Sequence, residues 1–263
     1  MSDPLIRLDV TDGVAQLTLN RPDKRNALTR EMLADLLARL KEVSSRPDLR
    51  CLVLTASGPL FCAGMDLGQM QEAAGKPDAA QVWHADTQLY HDVVKTLFDL
   101  PAPTLAVVRG GAIAGGLGLI LACDIVVAGA LSNFALPEPK RGITAAVVTP
   151  LLVHRTGPGA AGYVLLSGAT IDVQEAQRMG ICHIIADEDR FDMTVTDLLR
   201  SILSGAPGAL AITKKQLRAC GAAGFSALLA QAAVVSAQAR ETPEAREGLA
   251  AFLERRQPGW CPK

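Results

Sequence analysis

Excess charge of either sign, paired cysteines and long apolar runs are all missing from this 263-residue sequence. With 26 Lys and Arg against 27 Asp and Glu, the formal net charge is −1. No basic footprint for nucleic acid or an anionic lipid surface exists, so an anionic ligand has to be met by local cations. Cys51, Cys62, Cys123, Cys182, Cys220 and Cys261 are scattered and form no C-x-x-C pair. They read as buried thiols in a reducing compartment, with no disulfide framework and no zinc site. The four histidines, His84, His91, His154 and His183, include no H-E-x-x-H, which argues against a metal centre. The N-terminus carries Asp3 and Pro4 without a long apolar core, so a signal peptide is not expected. The longest apolar stretch, from Ile113 to Ala122, is broken by glycine and much shorter than a membrane span. A cytoplasmic chain is expected.

What is present is an alternation of strand and helix signals. Val14 to Leu19 alternates as a half-buried strand does, and Leu28 to Val43 carries apolar residues at helical spacing. Leu49 to Leu54 reads as a buried strand, residues 78–100 as a helix and Thr104 to Val108 as another strand. A Gly-rich turn, a short helix from Gly116 to Ala122 and a strand from Asp124 to Ala128 follow. This pattern predicts an α/β domain with right-handed crossovers. From residue 189 strand signals stop and Ala- and Leu-rich helix takes over. A boundary near residue 200 divides the chain into a body, 1–200, and a helical region, 201–263, too small and apolar to stand alone.

Two glycine turns stand out. The first, Phe61 to Leu67 (FCAGMDL), follows a buried strand, where α/β folds place ligand loops. Gly64 permits close approach or positive φ, and the Met65 N–H can then face a pocket. An ordinary strand–helix turn with Asp66 as a cap is the alternative. The second turn, Gly110 to Leu119 (GGAIAGGLGL), places Gly115 and Gly116 at a helix start with free N–H donors. It lacks the third glycine of a dinucleotide fingerprint, and the chain has neither a phosphate-binding P-loop nor a G-x-S-x-G turn. Two such turns on successive strand ends can aim two N–H groups at one developing oxyanion.

At this point the sequence resembles the crotonase (enoyl-CoA hydratase/isomerase) superfamily. The resemblance begins at Leu19 to Leu28 (LNRPDKRNAL) and includes the two glycine turns and Pro103 to Gly110. It continues through Ala122 to Ile125, Phe134 to Glu138 (FALPE) and Ser167-Gly168. It ends with Glu244 to Gly248 and Ala251 to Pro258. It implies a spiral of ββα turns followed by a C-terminal all-helical trimerisation region, the protein being a homotrimer or a hexamer. It implies an acyl-CoA thioester as substrate, coenzyme A being part of that substrate and no separate cofactor being required. Arg25, Ala27 and Leu28 would line the CoA, with Ala63, Met65, Asp66, Leu67, Gly115 and Gly116 along the same wall. The N–H groups of Met65 and Gly115 would form the oxyanion hole, and Arg21, Lys24 or Arg25 could reach a CoA phosphate.

Hydratases of this superfamily use two glutamates. The second corresponds to Glu138, whereas the first corresponds to Gly118, which cannot carry a proton. Glu138 alone suffices to move a proton between carbons, as in Δ3-Δ2 enoyl-CoA isomerisation. Asp66, His84, Asp86 and His91 are candidates for a second group, although His84 and His91 also fit an exposed polar helix face. Lys140 and Arg141 are candidates for recognising a substrate carboxylate. The expected activity is therefore of enoyl-CoA hydratase (lyase) or isomerase type in fatty acid metabolism. Another crotonase chemistry, shaped by Ile143 to Val147, and a catalytically inactive acyl-CoA-binding paralogue are the alternatives.

Overall fold

The chain is described by a computed structural model covering residues 3–221 and 225–259. Asp12 and Gly13, with φ of 51° and 77°, make a two-residue turn that folds Ile6–Thr11 (β1) antiparallel onto Val14–Leu19 (β2). Both positive φ values match the twist of a tight hairpin, which is why an Asp-Gly pair sits there. Thr29 then caps Arg30–Ser44 (α1) by accepting from the Met32 N–H at 3.2 Å. Cys51–Ala56 (β3), Thr104–Val108 (β4), Ile125–Gly129 (β6) and Ile184–Ala186 (β9) extend the sheet in the order β1-β2-β3-β4-β6-β9, every pair after the hairpin being parallel.

A second, smaller layer consists of Gly111–Ile113 (β5), Asn133–Ala135 (β7) and Thr170–Asp172 (β8), in the order β5-β7-β8. Isolated bridges Cys62–Ala112 and Leu28–Met65 continue this layer towards the N-terminus. Each long strand thus feeds a short one, then a helix: Leu67–Ala74 (α2) and Ala79–Asp99 (α3), Gly115–Ala122 (α4), Val148–Ser167 (α5), and Val173–Arg178 (α6). The spiral of ββα turns expected from the resemblance is present.

The helices lie on both sides of the main sheet. Met32, Leu33, Leu36, Leu40 and Val43 of α1 and Val93, Val94 and Leu97 of α3 are buried in the principal core. On the other face Phe191–Leu203 (α7) packs Val195, Leu198, Leu199 and Ile202 over Cys51, Val53, Leu105 and Val127. The boundary expected near residue 200 therefore falls inside α7, which shares a core with the sheet. Pro207–Gly221 (α8), Phe225–Arg240 (α9) and Pro243–Leu253 (α10) complete the chain. Lys214 of α8 reaches Asp124 at 2.5 Å and the Ala102 carbonyl at 2.8 Å, α9 lies against α3 and α5, and α10 lies against the segment after β7.

The strands β1, β5, β7, β8 and β9 do not emerge from the sequence pattern. Four of them are only three residues long, too short for a period of two to register. Cys51, Cys62, Cys123 and Cys182 are free and buried as expected, and burial pushes the first three thiols up to about 12. Cys261 and the side chain of Cys220 lie outside the described residues. Among the described residues no helix is long and apolar enough to cross a membrane.

Candidate active site

The first turn is held from beneath by Asn26, which is fully buried in a left-handed conformation with φ of 52°. Its side-chain N–H groups donate to the carbonyls of Ser57 and Leu60, both at 2.9 Å, while its Oδ1 accepts from the Arg21 N–H at 2.8 Å. The Leu28 N–H donates to the Gly64 carbonyl and the Asp66 N–H to the Leu28 carbonyl, so Met65 is bracketed. Gly64 has φ of 90°, a conformation that an L side chain rarely adopts. Asp66 caps α2 through the Gln69 N–H at 3.1 Å and pairs with Arg21 at 2.6 Å. Burial raises the Asp66 pKa, but the hydrogen bonds from Arg21 and Gln69 outweigh it and leave the carboxyl below its usual range. It is a structural carboxylate and a poor proton carrier.

The second turn follows β5. Ala114 carries φ of 53° and ψ of −125°, an unfavourable conformation for alanine that costs on the order of 1–3 kcal/mol. Its N–H is tied to the Ala135 carbonyl at 2.9 Å, which fixes where α4 begins. Gly116 is required by close packing, since a Cβ there would stand 2.6 Å from the Cys62 carbonyl oxygen. The two turns touch: a Cβ on Gly64 would lie 2.7 Å from the Ala114 Cβ and 3.2 Å from the Gly115 nitrogen. Neither the Met65 nor the Gly115 N–H donates to an acceptor among the described residues. Both residues line the cleft.

Register brings the carboxylate to them. Ala135 of β7 is paired with Ile113 of β5, so the chain leaving β7 runs beside the start of α4. Pro137 begins a short 3-10 turn, Glu138–Arg141, ended by Gly142 at φ of 68°. Glu138 is buried at 7% exposure and its Oε2 meets no hydrogen-bond partner among the described residues. Desolvation pushes its pKa up to about 7, against weaker attraction from Arg141 and Arg240. A carboxyl held near neutrality is chemically suited to exchanging a proton. Gly142 and Gly248 let α10 press on this turn, because a Cβ on either would stand 2.2 Å from backbone of the other element.

Ala63, Met65, Leu67, Gly115 and Glu138 line one open cleft. Asp66, Gly116, Arg25, Ala27 and Leu28 do not border it; Arg25 is exposed and its carbonyl accepts from the Ala63 N–H. Asp86 does not border the cleft and is held in a bidentate pair with Arg30, at 2.5 and 2.8 Å. The shared exposed face expected for His84 and His91 is not found, as His84 is exposed but His91 is buried against Gln88 and Asp92. Lys140 and Arg141 also part company: Lys140 lies over Gly168, whereas Arg141 lines the cleft.

Several cleft residues escape the sequence reading, Tyr90 and Arg240 among them. Tyr90, fully enclosed, donates its hydroxyl to the Gly115 carbonyl at 2.6 Å. A Cβ on Gly118 would lie 2.1 Å from that hydroxyl, so Tyr90 fills the space a side chain at 118 would enter. Arg240, at the end of α9, enters the cleft from 150 residues beyond Tyr90 and donates to Thr87 Oγ1 at 3.0 Å. Tyr90 follows Asp86 and precedes Val94 at four-residue spacing on the buried face of α3, a signal that was available. Nothing local in the sequence marks Arg240.

A parallel sheet with a short second layer, and a cleft between two glycine turns facing one buried carboxyl, define an α/β enzyme of the crotonase fold. The chain belongs to the enoyl-CoA hydratase/isomerase family, whose model matches residues 9–263. The 2,3-dehydroadipyl-CoA hydratase of Escherichia coli is 33% identical, over 93% of this chain and 94% of its own. An enoyl-CoA hydratase domain-containing protein 3, mitochondrial, of Danio rerio is 29% identical over 98% of this chain and 88% of its own. The crystal structure of an enoyl-CoA hydratase from Mycobacterium avium superposes with a TM-score of 0.87 at 31% identity, covering 99% of this chain and all of that one. The protein is an enzyme of hydratase/isomerase type.

Proposed function

We propose that the cleft binds an acyl-CoA thioester with its carbonyl oxygen against the N–H groups of Met65 and Gly115, and that Glu138 is the acid–base group. The reading is carried by one observation: the free, buried Oε2 of Glu138, on a carboxyl held near neutrality, in the same cleft as those donors. As the Cα proton leaves, the C–H electron pair moves into the C1–C2 bond and charge develops on the thioester oxygen, where each donor contributes about 3–4 kcal/mol.

The packing of Tyr90 against Gly118 favours single-carboxylate chemistry. With a 3-enoyl-CoA, ionised Glu138 takes a proton from C2, the dienolate forms, and the protonated carboxyl returns the proton to C4, leaving the double bond between C2 and C3. Hydration of a 2-enoyl-CoA is the second reading, supported by the hydratase names of the relatives; Glu138 would then both deprotonate the water and supply the α-proton. CoA contacts from Arg25, Ala27, Leu28, Asp66 and Gly116, a trimeric or hexameric assembly and a cytoplasmic location are part of the proposal.

Incubation with a 3-enoyl-CoA and, separately, a 2-enoyl-CoA tests it. Growth of absorbance at the conjugated thioester band from the first indicates isomerisation, and its decay from the second indicates hydration. Glu138→Gln is expected to lower either rate by about 10²–10⁴. If the substitution leaves turnover unchanged, or if neither substrate reacts, the proposal fails and the inactive acyl-CoA-binding paralogue becomes the better reading.

A further inference from the structure

Partly buried arginines in this chain are partnered as a rule. Arg30 pairs with Asp86, Arg21 with Asp66, and Arg218 with Asp124 and Asp99; Arg155 donates to the carbonyls of Leu121, Cys123 and Asp124. Arg141 and Arg240 break the rule. All Asp and Glu residues lie among the described residues, and none comes within 4.0 Å of either guanidinium. Arg141 rests on the Phe252 ring at 4.3 Å, and the one hydrogen bond of Arg240 goes to the neutral Thr87.

Both side chains border the cleft that holds Glu138. In a 3-10 turn, positions i and i+3 eclipse, which sets Arg141 on the same side as Glu138. Thr87, the partner of Arg240, lies three residues before Tyr90 on α3, about one helical turn from the side chain that touches Gly115. The two cations therefore share the cleft with Glu138, and the hydroxyls of Thr87, Thr144 and Ser236 line the same cleft. Even with Glu138 ionised, the cleft carries one more positive than negative charge. A plain hydrocarbon tail would displace solvent from these guanidinium groups and leave them only the longer-range attraction of Glu138 and, for Arg240, of Asp86, which is costly.

We infer that the acyl group carries a carboxylate a few carbons beyond C3, held by Arg240 and Arg141. A carboxylate there supplies the missing countercharge, accepts from planar guanidinium donors and can accept from the neighbouring hydroxyls. This inference rests on the acyl-thioester reading above and adds the chemical class of the acyl group.

The test uses enoyl-CoA pairs of equal chain length, one ending in methyl and the other in carboxylate, with the corresponding saturated thioesters for calorimetry. The wild-type enzyme is expected to favour the carboxylate in kcat/KM by at least about tenfold. Arg240→Met and Arg141→Met are each expected to reduce that ratio by about ten- to a hundredfold, and Arg240→Lys to restore part of it. Thermal unfolding of each variant guards against simple loss of the fold, and the ratio of two substrates on one preparation cancels any inactive fraction. A wild-type preference for the methyl end overturns the inference. So does an equal loss for both substrates in the arginine variants, which would place the guanidiniums on the CoA moiety or in the scaffold. Equal binding of both saturated thioesters overturns this inference alone; binding of neither overturns the acyl-thioester reading as well.

Discussion

At Glu138 burial, and not any charged neighbour, sets the chemistry. A carboxyl pushed up to about 7 from 4.5 costs stability once it ionises. Its raised pKa contributes stability that is complete below pH 4.5 and is lost as pH rises through about 7. The expected penalty above neutrality is roughly 3 kcal/mol, from 1.36 kcal/mol per pH unit. Glu138→Gln should therefore melt at a higher temperature than the wild type at pH 8 and at nearly the same temperature at pH 4.5, a difference calorimetry reads directly. In the wild type, kcat/KM for proton abstraction should rise with pH through an inflection near 7; a flat profile from pH 5 to 9 would remove Glu138 from the base role.

Tyr90 and Gly118 make a second residue-scale prediction. Tyr90→Phe removes the tyrosine's hydrogen bond to the Gly115 carbonyl, at a cost of about 0.5–1.5 kcal/mol in stability, and is expected to slow turnover by loosening the Gly115 peptide. Gly118→Ala places a Cβ 2.1 Å from the tyrosine hydroxyl and should destabilise more strongly. With the hydroxyl gone the ring is 3.3 Å away and the Val148 Cγ2, at 2.9 Å, is what still crowds the new Cβ, so Tyr90→Phe should partly rescue Gly118→Ala. Additive effects in the double-mutant cycle would refute this packing account.

At the scale of elements, the site is a product of register. Pairing of β5 with β7 carries the Pro137-Glu138 turn alongside the start of α4, and α10 clamps that turn from outside. Gly248→Ala should cost about 1–3 kcal/mol in denaturant unfolding and depress turnover, although residue 248 does not line the cleft. A variant with wild-type stability and rate would show that α10 does not position Glu138. The long elements were legible because their burial is periodic, as in α1 and β2. The short layer was not, since β5, β7 and β8 are selected by their neighbours and carry little pattern of their own. The glycine turns, Glu138 and the bare position 118 could be read from local motifs. Arg240 could not, because its proximity to Glu138 is created by the docking of α9 on α3, and the arginines that occupy Asp66 and Asp86 lie 45 and 56 residues away in the chain.

At the scale of the whole molecule, apolar side chains remain on the outside: Leu131 and Leu166 are 89% and 86% exposed, and Ile212 and Leu217 are also exposed. Such residues fit burial in a homo-oligomer, in line with the proposed trimer or hexamer. Light scattering should return about three or six times the 27.7 kDa chain mass, and a monomer at micromolar concentration would contradict the assembly.

Formation of an enolate by Glu138 opposite the Met65 and Gly115 N–H groups is the claim on which the rest depends. It is tested most directly by exchange of the C2 protons of a saturated acyl-CoA with solvent deuterium, followed by NMR or mass spectrometry. The account predicts exchange by the wild-type enzyme and at least a hundredfold slower exchange by Glu138→Gln, in line with the loss of a general base. Wild-type exchange no faster than the buffer background, or undiminished exchange in Glu138→Gln, would contradict it.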